Sequence, residues 1–455
     1  MEADTSSKTT TNKNPVSPTS QNPKFKLEKW LDSFFQLKKK GTTLSTEIRA
    51  GITTFLAMVY IVPVNSAIMH MAGMPFDALI TATALVTIIA TLLNGLWSNT
   101  PVAMSVGMGL NAYFTFGLVK GMGIPWQTAL GIVMVSGIIF LLLSVTNFRK
   151  WVLESVPTDL RRAISAGIGL FIAFIGLHGM GLVVKDNTTL VKLGEFTPPV
   201  LLGIFGFLLI AFFYSRRIRG AFILGMLVTA VIGWIFGIGK FPTQIVSMPA
   251  SIAPIAFKFD LGSVLSLSLI PVIITFLVTD MFDTIGTLAG VGLRAGLFQE
   301  PIQLQKTLQA DAMATVVGAS LGTSTTTSFI ESASGVEEGG RSGLTAVVTA
   351  LLFTTTLFFL PIYKAIPENA IYPVLVMVGV LMFGELKNVN FSDTTIAISV
   401  FATTILMPLT YSITFGLSAG FITYLVLAIL KGEWERVNTG TITLALLGGL
   451  AFLFH

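Results

Sequence analysis

The sequence predicts an all-α polytopic membrane protein of fourteen transmembrane elements, arranged as two inverted repeats of seven. Three observations carry that prediction. Charged residues make up 11% of the 455-residue chain and hydrophobic residues 53%, where an average soluble domain carries about 25% charged residues. Apolar runs of membrane-crossing length recur from residue 51 to residue 430. All ten arginines fall on one side of the membrane once the N-terminus is placed inside.

Residues 1–40 precede the first apolar run. Positions 1–23 are rich in Ser, Thr, Asn and Pro without apolar periodicity and read as a disordered tail. Lys24, Lys26, Lys29, Lys38, Lys39, Lys40 and Arg49 then form a basic cytoplasmic arm, better suited to anionic lipid than to nucleic acid. The first apolar run starts near Gly51, too deep for a cleaved secretory signal.

Helices are predicted over 51–70 and 79–97, with Asn65 beside Pro63 marking an unwound point in the first. The third element, 101–118, is interrupted by glycine and serine. Helices follow over 127–146, 163–184, 198–214, 220–238 and 264–292. The ninth element, 308–321, is short, and the tenth, 322–335, is broken by Gly, Ser and Thr. The last four helices cover 344–364, 370–386, 394–411 and 414–430, and a short run at 440–454 stands outside the count.

This count puts Arg49, Arg149, Arg161, Arg162, Arg216, Arg217, Arg219, Arg294, Arg341 and Arg436 in inside segments. The outside loops hold Lys120, Lys185, Lys192, Lys240, Lys258 and Lys364 and no arginine, as positive-inside bias requires. Fourteen divides into two sevens. VPTDLRRAISAGIGLF, opening element five, resembles IPENAIYPVLVMVGVL, opening element twelve, with Pro157 matching Pro367 and Gly169 matching Gly379, both 210 positions apart. A repeat of odd length is inverted across the membrane, and its interrupted spans stand third in each half. That placement points to a secondary transporter with a midplane site.

Catalysis has few candidates, and no enzyme activity is expected. Cysteine is absent, the three histidines (His70, His178, His455) are far apart, and no HExxH, P-loop or GxSxG pattern occurs. No cofactor or metal is expected. The chemistry lies in carboxylates at membrane depth, where an aspartate costs about 2.5–3.5 kcal/mol. In FLVTDMFDTIGTLAG, Asp280, Asp283 and Thr287 share one helix face and Thr284 flanks it. Asp280 is either a structural partner of Asp283 or a proton-coupling acid. In GTSTTTSFIESASG, the hydroxyl run Thr323 to Thr327 and Ser328 favours a short extended segment ending at Glu331, with Thr326 and Ser328 beside the site. The bland alternative makes 322–340 a surface loop, in keeping with Glu337, Glu338, Gly339 and Gly340. The symmetric SVGMGLNAY offers Ser105, Gly107, Gly109 and Asn111. No Arg or Lys falls within the apolar core of the runs, so the cargo is neutral, cationic or proton-linked, and Asp280, Asp283 and Glu331 are the groups able to carry a proton. Phe329, Phe114 and Tyr113 either stack on a flat cargo or pack in the core.

FDTIGTL (282–288), GMGLNAYF (107–114), TSFIESASG (327–335) and GGRSGLTA (339–346) resemble the signature segments of AzgA-like purine permeases, a branch of the nucleobase–cation symporter-2 family. The likeness runs from about Gly41, through GTTLSTEIRAGITTFLAMVYIV, to about Gly432. It implies a core domain of elements one to four (41–150) and eight to eleven (263–366), and a gate domain of elements five to seven (151–262) and twelve to fourteen with the C-terminal segment (367–455). It implies short strands leading into half-helices at elements three and ten, substrate held by Asp283 and Glu331, Asn111 in the site, and Asp280 as an accessory acid. Uptake of guanine, hypoxanthine or adenine with protons across a cytoplasmic membrane follows from the resemblance, as does a homodimer. Two alternatives stay open: a uracil or xanthine carrier on the same fold, and an ion channel lined by the same acids.

Overall fold

The computed structural model describes residues 23–146, 156–295, 297 and 301–453. The expected disorder of the first residues and the placement of Arg149 lie outside the described residues.

The chain opens with α1 (Pro23–Phe35), α2 (Leu44–Met58), α3 (Ile61–His70) and α4 (Phe76–Trp97). Strand β1 (Met104–Val106) leads into α5 (Met108–Ala112), which widens to a π-helix over Tyr113–Gly121. There follow α6 (Trp126–Ser144), α7 (Thr158–Gly179), the hairpin β2 (Val183–Asp186) and β3 (Leu190–Leu193), α8 (Pro198–Ser215) and α9 (Ala221–Ile235). The second half runs through α10 (Ile270–Ala295), α11 (Pro301–Leu321), β4 (Thr326–Ser328), α12 (Ser332–Glu337), α13 (Gly343–Thr356), α14 (Leu360–Ala365), α15 (Glu368–Phe383), α16 (Thr394–Thr410), α17 (Ile413–Leu430) and α18 (Thr439–Leu453). Among the described residues, eight helices are long and apolar enough to cross a membrane, counting α2 with α3 as one, and four more are apolar but shorter. This is a multi-pass membrane fold.

Several expectations are corrected. The basic arm holds a helix, α1, that a reading of apolar runs alone does not include. Its last turns seat Phe35 and neighbouring Leu37 against Leu344, while Trp30 stacks on Phe34 outside. The fifth element ends at Gly179, and its expected tail to 184 enters the β2–β3 hairpin. Asp186 holds that turn by accepting from the N–H groups of Thr188 and Thr189 (2.8 and 3.0 Å). Those two donors, with Lys192, keep its carboxyl down at about 2. The ninth element is a full helix from Pro301; its polar first turns hid it. The run at 440–454 is α18, packed against α17 and α10, with Phe452 against Phe415.

The paired strands cross at the centre of the molecule. β1 and β4 run antiparallel, with Met104 opposite Ser328, Ser105 opposite Thr327 and Val106 opposite Thr326. β-Branched threonines favour this extended backbone, and burying it is tolerable because each strand satisfies the other. A threonine on the neighbouring helix completes each outer edge. Thr91 of α4 accepts from Met104 N–H and donates to its carbonyl (3.0 and 2.8 Å), and Thr315 of α11 does the same for Thr326 (3.1 and 2.9 Å). The same bonding in both halves is the local signature of an inverted repeat.

Helices α2 to α4, α6, α10, α11 and α13 pack together around these strands, while α7 to α9 and α15 to α17 form a second group. In the second group α7 lies directly on α15. A Cβ on Gly379 would sit 2.4 Å from the Gly169 carbonyl, and one on Gly169 would sit 2.8 Å from the Gly379 carbonyl. The two glycines matched in the sequence repeat therefore meet face to face, letting the backbones touch as small residues do in membrane helix pairs.

Glu47, buried near the start of α2, clasps the N-terminus of α13. Its carboxylate accepts from the N–H groups of Arg341, Ser342 and Thr345 (2.8, 3.3 and 3.1 Å) and from the hydroxyls of Ser342 and Thr345 (2.8 and 2.6 Å). Glu47→Ala strands these donors in a dry interior and is expected to cost about 2–4 kcal/mol. The loss should appear as a lowered melting temperature of the detergent-purified protein, with Glu47→Gln intermediate. A wild-type melting temperature for Glu47→Ala would remove the clasp from the account of stability.

Candidate functional site

Pro63 shapes the first wall of the site. Lacking an N–H, it cannot bond the Val59 carbonyl, and its ring crowds that carbonyl. The helix is accordingly interrupted at Val59 and Tyr60, between α2 and α3, one turn before the expected break at Asn65. This places Tyr60 in the interior with no exposed surface. Its hydroxyl donates to Glu331 Oε1 at 2.5 Å.

Glu331 stands at the position before the first residue of α12, just after β4, and its side chain makes no capping bond to that helix. Asp283 lies on α10. Both sit deep among protein atoms yet keep part of their surface accessible, the mark of side chains that face an internal cavity. Ile330, next to Glu331, is 52% exposed. On α10, Gly286 and Gly290 share the Asp283 face, and a Cβ on either would meet no atom within 4 Å. The cavity is thus edged by the Asp283 face of α10 and by the turn from β4 into α12. Among the described residues no Lys or Arg forms an ion pair with either acid, and no three His, Cys, Asp or Glu side chains are grouped to hold a metal.

The two aspartates of α10 do different things. Asp280 is 2% exposed and turns toward α11, where the Thr315 hydroxyl oxygen lies 3.1 Å from its Oδ2. One turn on, Thr284 donates to Oδ2 of Asp311 on α11 (2.6 Å). Asp280–Thr284 and Asp311–Thr315 are both i, i+4 pairs, so the helices exchange acid and hydroxyl reciprocally. The second carboxyl oxygens of Asp280 and Asp311 are buried without a protein partner. Asp311 was not singled out by the sequence reading, although its repetition of the Asp-xxx-Thr spacing of α10 was visible there.

The remaining expected site residues surround the strand crossing. Thr284 also bonds Thr327 (2.9 Å), joining α10 to β4. The Ser105 hydroxyl is turned away from the cavity and bonds Thr87 of α4 (2.6 Å). Thr326 is fully buried, its hydroxyl oxygen lacking a protein partner, and Ser328 is buried next to Asp311. Asn111 is fully buried and donates to Asn65, which in turn donates to Thr83 (2.9 Å). Its own side-chain oxygen has no protein partner. Asn65 therefore serves a side-chain network instead of satisfying a broken backbone.

Few backbone donors are left free at the strand crossing. Gly107 N–H bonds the Thr325 carbonyl and Phe329 N–H bonds the Ala103 carbonyl (2.9 and 3.0 Å). Alternation along an antiparallel ladder then directs the N–H groups of Val106 and Ser328 outward, and that of Ser328 faces Asp311. Phe114, Tyr113 and Phe329 are all buried. Tyr113 is tied into packing by its ring contact with Phe276 (5.6 Å) and its bond to Thr414 (2.6 Å).

Comparison with known proteins adds four findings. The model of a group described as the Permease family matches residues 45–419. The chain is 41% identical over 428 residues to adenine permease AdeP of Escherichia coli (strain K12), covering 93% of this chain and 96% of that protein. It is also 41% identical over 422 residues to guanine/hypoxanthine permease PbuG of Bacillus subtilis (strain 168), covering 90% and 96%. Among solved structures, the transmembrane domain of the cyanobacterium bicarbonate transporter BicA superposes with a TM-score of 0.62 at 15% identity, covering 80% of this chain and 95% of that one. At that identity the likeness concerns the fold alone.

Proposed function

The chain belongs to the Permease family, and from that premise we propose that it imports purine nucleobases, guanine and hypoxanthine first, together with protons across a cytoplasmic membrane. The observation that carries this reading is the pairing of Asp283 and Glu331 on a cavity with no ion-paired Lys or Arg. Guanine offers N1–H and a 2-amino group side by side, a fit for one carboxylate accepting two charge-assisted bonds. Glu331 takes that edge, Asp283 engages the opposite side, and the outward Val106 N–H donates to a ring nitrogen or carbonyl oxygen. Thr326 and Asn111 supply unpartnered polar atoms around the strand crossing. The protein is a carrier and not a catalyst on this reading.

Transport proceeds by movement of the core domain (41–150 and 263–366) against the gate domain (151–262 and 367–455), with the N-terminus inside as the arginine distribution favours. Adenine is the second reading. The two named relatives handle different purines at the same identity, and a carboxylate also accepts from the 6-amino group of adenine.

Radiolabelled hypoxanthine uptake in cells lacking their own purine carriers tests the proposal, with and without a protonophore and with excess guanine, adenine or uracil. Protonophore-sensitive uptake blocked by guanine and not by adenine is the expected result. Block by adenine alone transfers the reading to an adenine carrier. Single-channel current without saturable uptake overturns it in favour of a channel.

A further inference from the structure

We propose that Tyr60 is the residue that positions Glu331, and that the α8–α9 turn clamps the half-helix α12 at both of its ends, one end through Tyr60. The inference rests on Glu331 being a binding residue. At the N-terminal end of α12, Glu331 accepts from Tyr60, and the Tyr60 ring stacks on Phe222 of α9 with centroids 4.9 Å apart and planes at 26°. Phe222 is held in turn by Tyr214 of α8, edge-on at 6.2 Å. At the C-terminal end, Glu338 pairs with Arg219, three positions before Phe222. Between these anchors Gly220 adopts a left-handed φ of +72°, where a Cβ would lie 3.2 Å from the Leu56 carbonyl. The turn is therefore pressed onto the end of α2.

α8 and α9 belong to one packing group and α2 to the other, where α12 packs against α2 and α10. Movement between the groups must act on this turn, and it reaches Glu331 through the stacked rings of Phe222 and Tyr60. Glu331 thus has its rotamer set by a hydroxyl whose own position depends on the opposing group. Arg219 and Glu338 are partly open to solvent, so their arm is the weaker one. The buried Tyr60–Phe222 arm dominates.

Two measurements on the full chain in membranes decide the proposal. Equilibrium binding of hypoxanthine, guanine and adenine is compared for wild type and Tyr60→Phe, which keeps the ring and removes the hydroxyl. The dissociation constant is expected to rise about tenfold for Tyr60→Phe, and a change below about twofold would overturn the positioning role. The second measurement needs no ligand. The natural chain has no cysteine, so the single thiol of Ile330→Cys reports cavity access by maleimide labelling. Added Phe222→Ala or Arg219→Glu is expected to speed labelling, and the swap Arg219→Glu with Glu338→Arg to restore it. Wild-type labelling rates in both single variants, or no restoration by the swap, would overturn the clamp. Should wild type bind none of the three bases, the purine reading fails while the labelling still decides the clamp.

Discussion

Glu331→Gln is expected to weaken guanine and hypoxanthine binding by about 100-fold or more while the protein reaches the membrane at wild-type level. Glutamine has the same shape, and its amide oxygen still accepts from Tyr60. The Tyr60 contact therefore survives, and loss of fold is not the cause of the effect. What disappears is the charge and one acceptor. The new NH2 faces the N1–H and 2-amino edge of guanine, so two attractive bonds become one bond and one donor–donor clash, while hypoxanthine, with N1–H alone on that edge, loses the charge of its acceptor. Removing one partner of a desolvated charged contact costs about 2–5 kcal/mol. Adenine answers differently, because a carboxamide presents one donor and one acceptor and matches adenine bidentately. A variant that loses guanine but retains adenine identifies Glu331 as the residue reading the base edge. Near wild-type affinity for every base would remove Glu331 from the site.

Much of this architecture was legible because membrane burial writes strong signals. An aspartate at membrane depth is expensive, so Asp280 and Asp283 stood out from their apolar surroundings, and TSTTTS could be read as an extended segment because no good helix former interrupts it. The matched Gly169 and Gly379 proved to be a real contact because close backbone approach demands the absence of a side chain on both partners. Other parts were hidden. Asp311 falls inside the expected ninth element, 308–321, but the polar turns before it, with Gln303, Gln305 and Lys306, make that element read as a short fragment, and its acid draws no attention there. Tyr60 gave no polar signal at all, since a tyrosine in an apolar helix is ordinarily core; only the break that Pro63 imposes one turn upstream turns it toward Glu331. The division of labour between Asp280 and Asp283 was likewise unreadable. Their spacing puts them within one broad face, and it is the position of α11 that takes one acid away from the cavity.

Asp280→Asn and Asp311→Asn are each expected to abolish protonophore-sensitive accumulation of the base while leaving its equilibrium affinity within about threefold of wild type. The two acids lie behind the cavity between α10 and α11, each bonded by a threonine of the opposite helix and each with one oxygen lacking a protein partner. No Lys or Arg forms an ion pair with either among the described residues. Two neighbouring carboxylates in a dry site with no cation beside either resist carrying full charge together, so a proton held by one member of the pair is the premise of this prediction. Asparagine preserves an acceptor for the threonine hydroxyl but cannot release a proton. The protein is then fixed in a proton-loaded arrangement, able to exchange base across the membrane but not to concentrate it. Because a shared proton belongs to the pair, the double variant should be no worse than either single one, a departure from additivity that independent sites would not show. The check is uptake against external pH in vesicles, alongside exchange of labelled for unlabelled base. Exchange that persists while pH dependence vanishes in all three variants places coupling at this pair. Unchanged pH dependence in either single variant places it elsewhere, at Asp283 or Glu331 on the cavity itself.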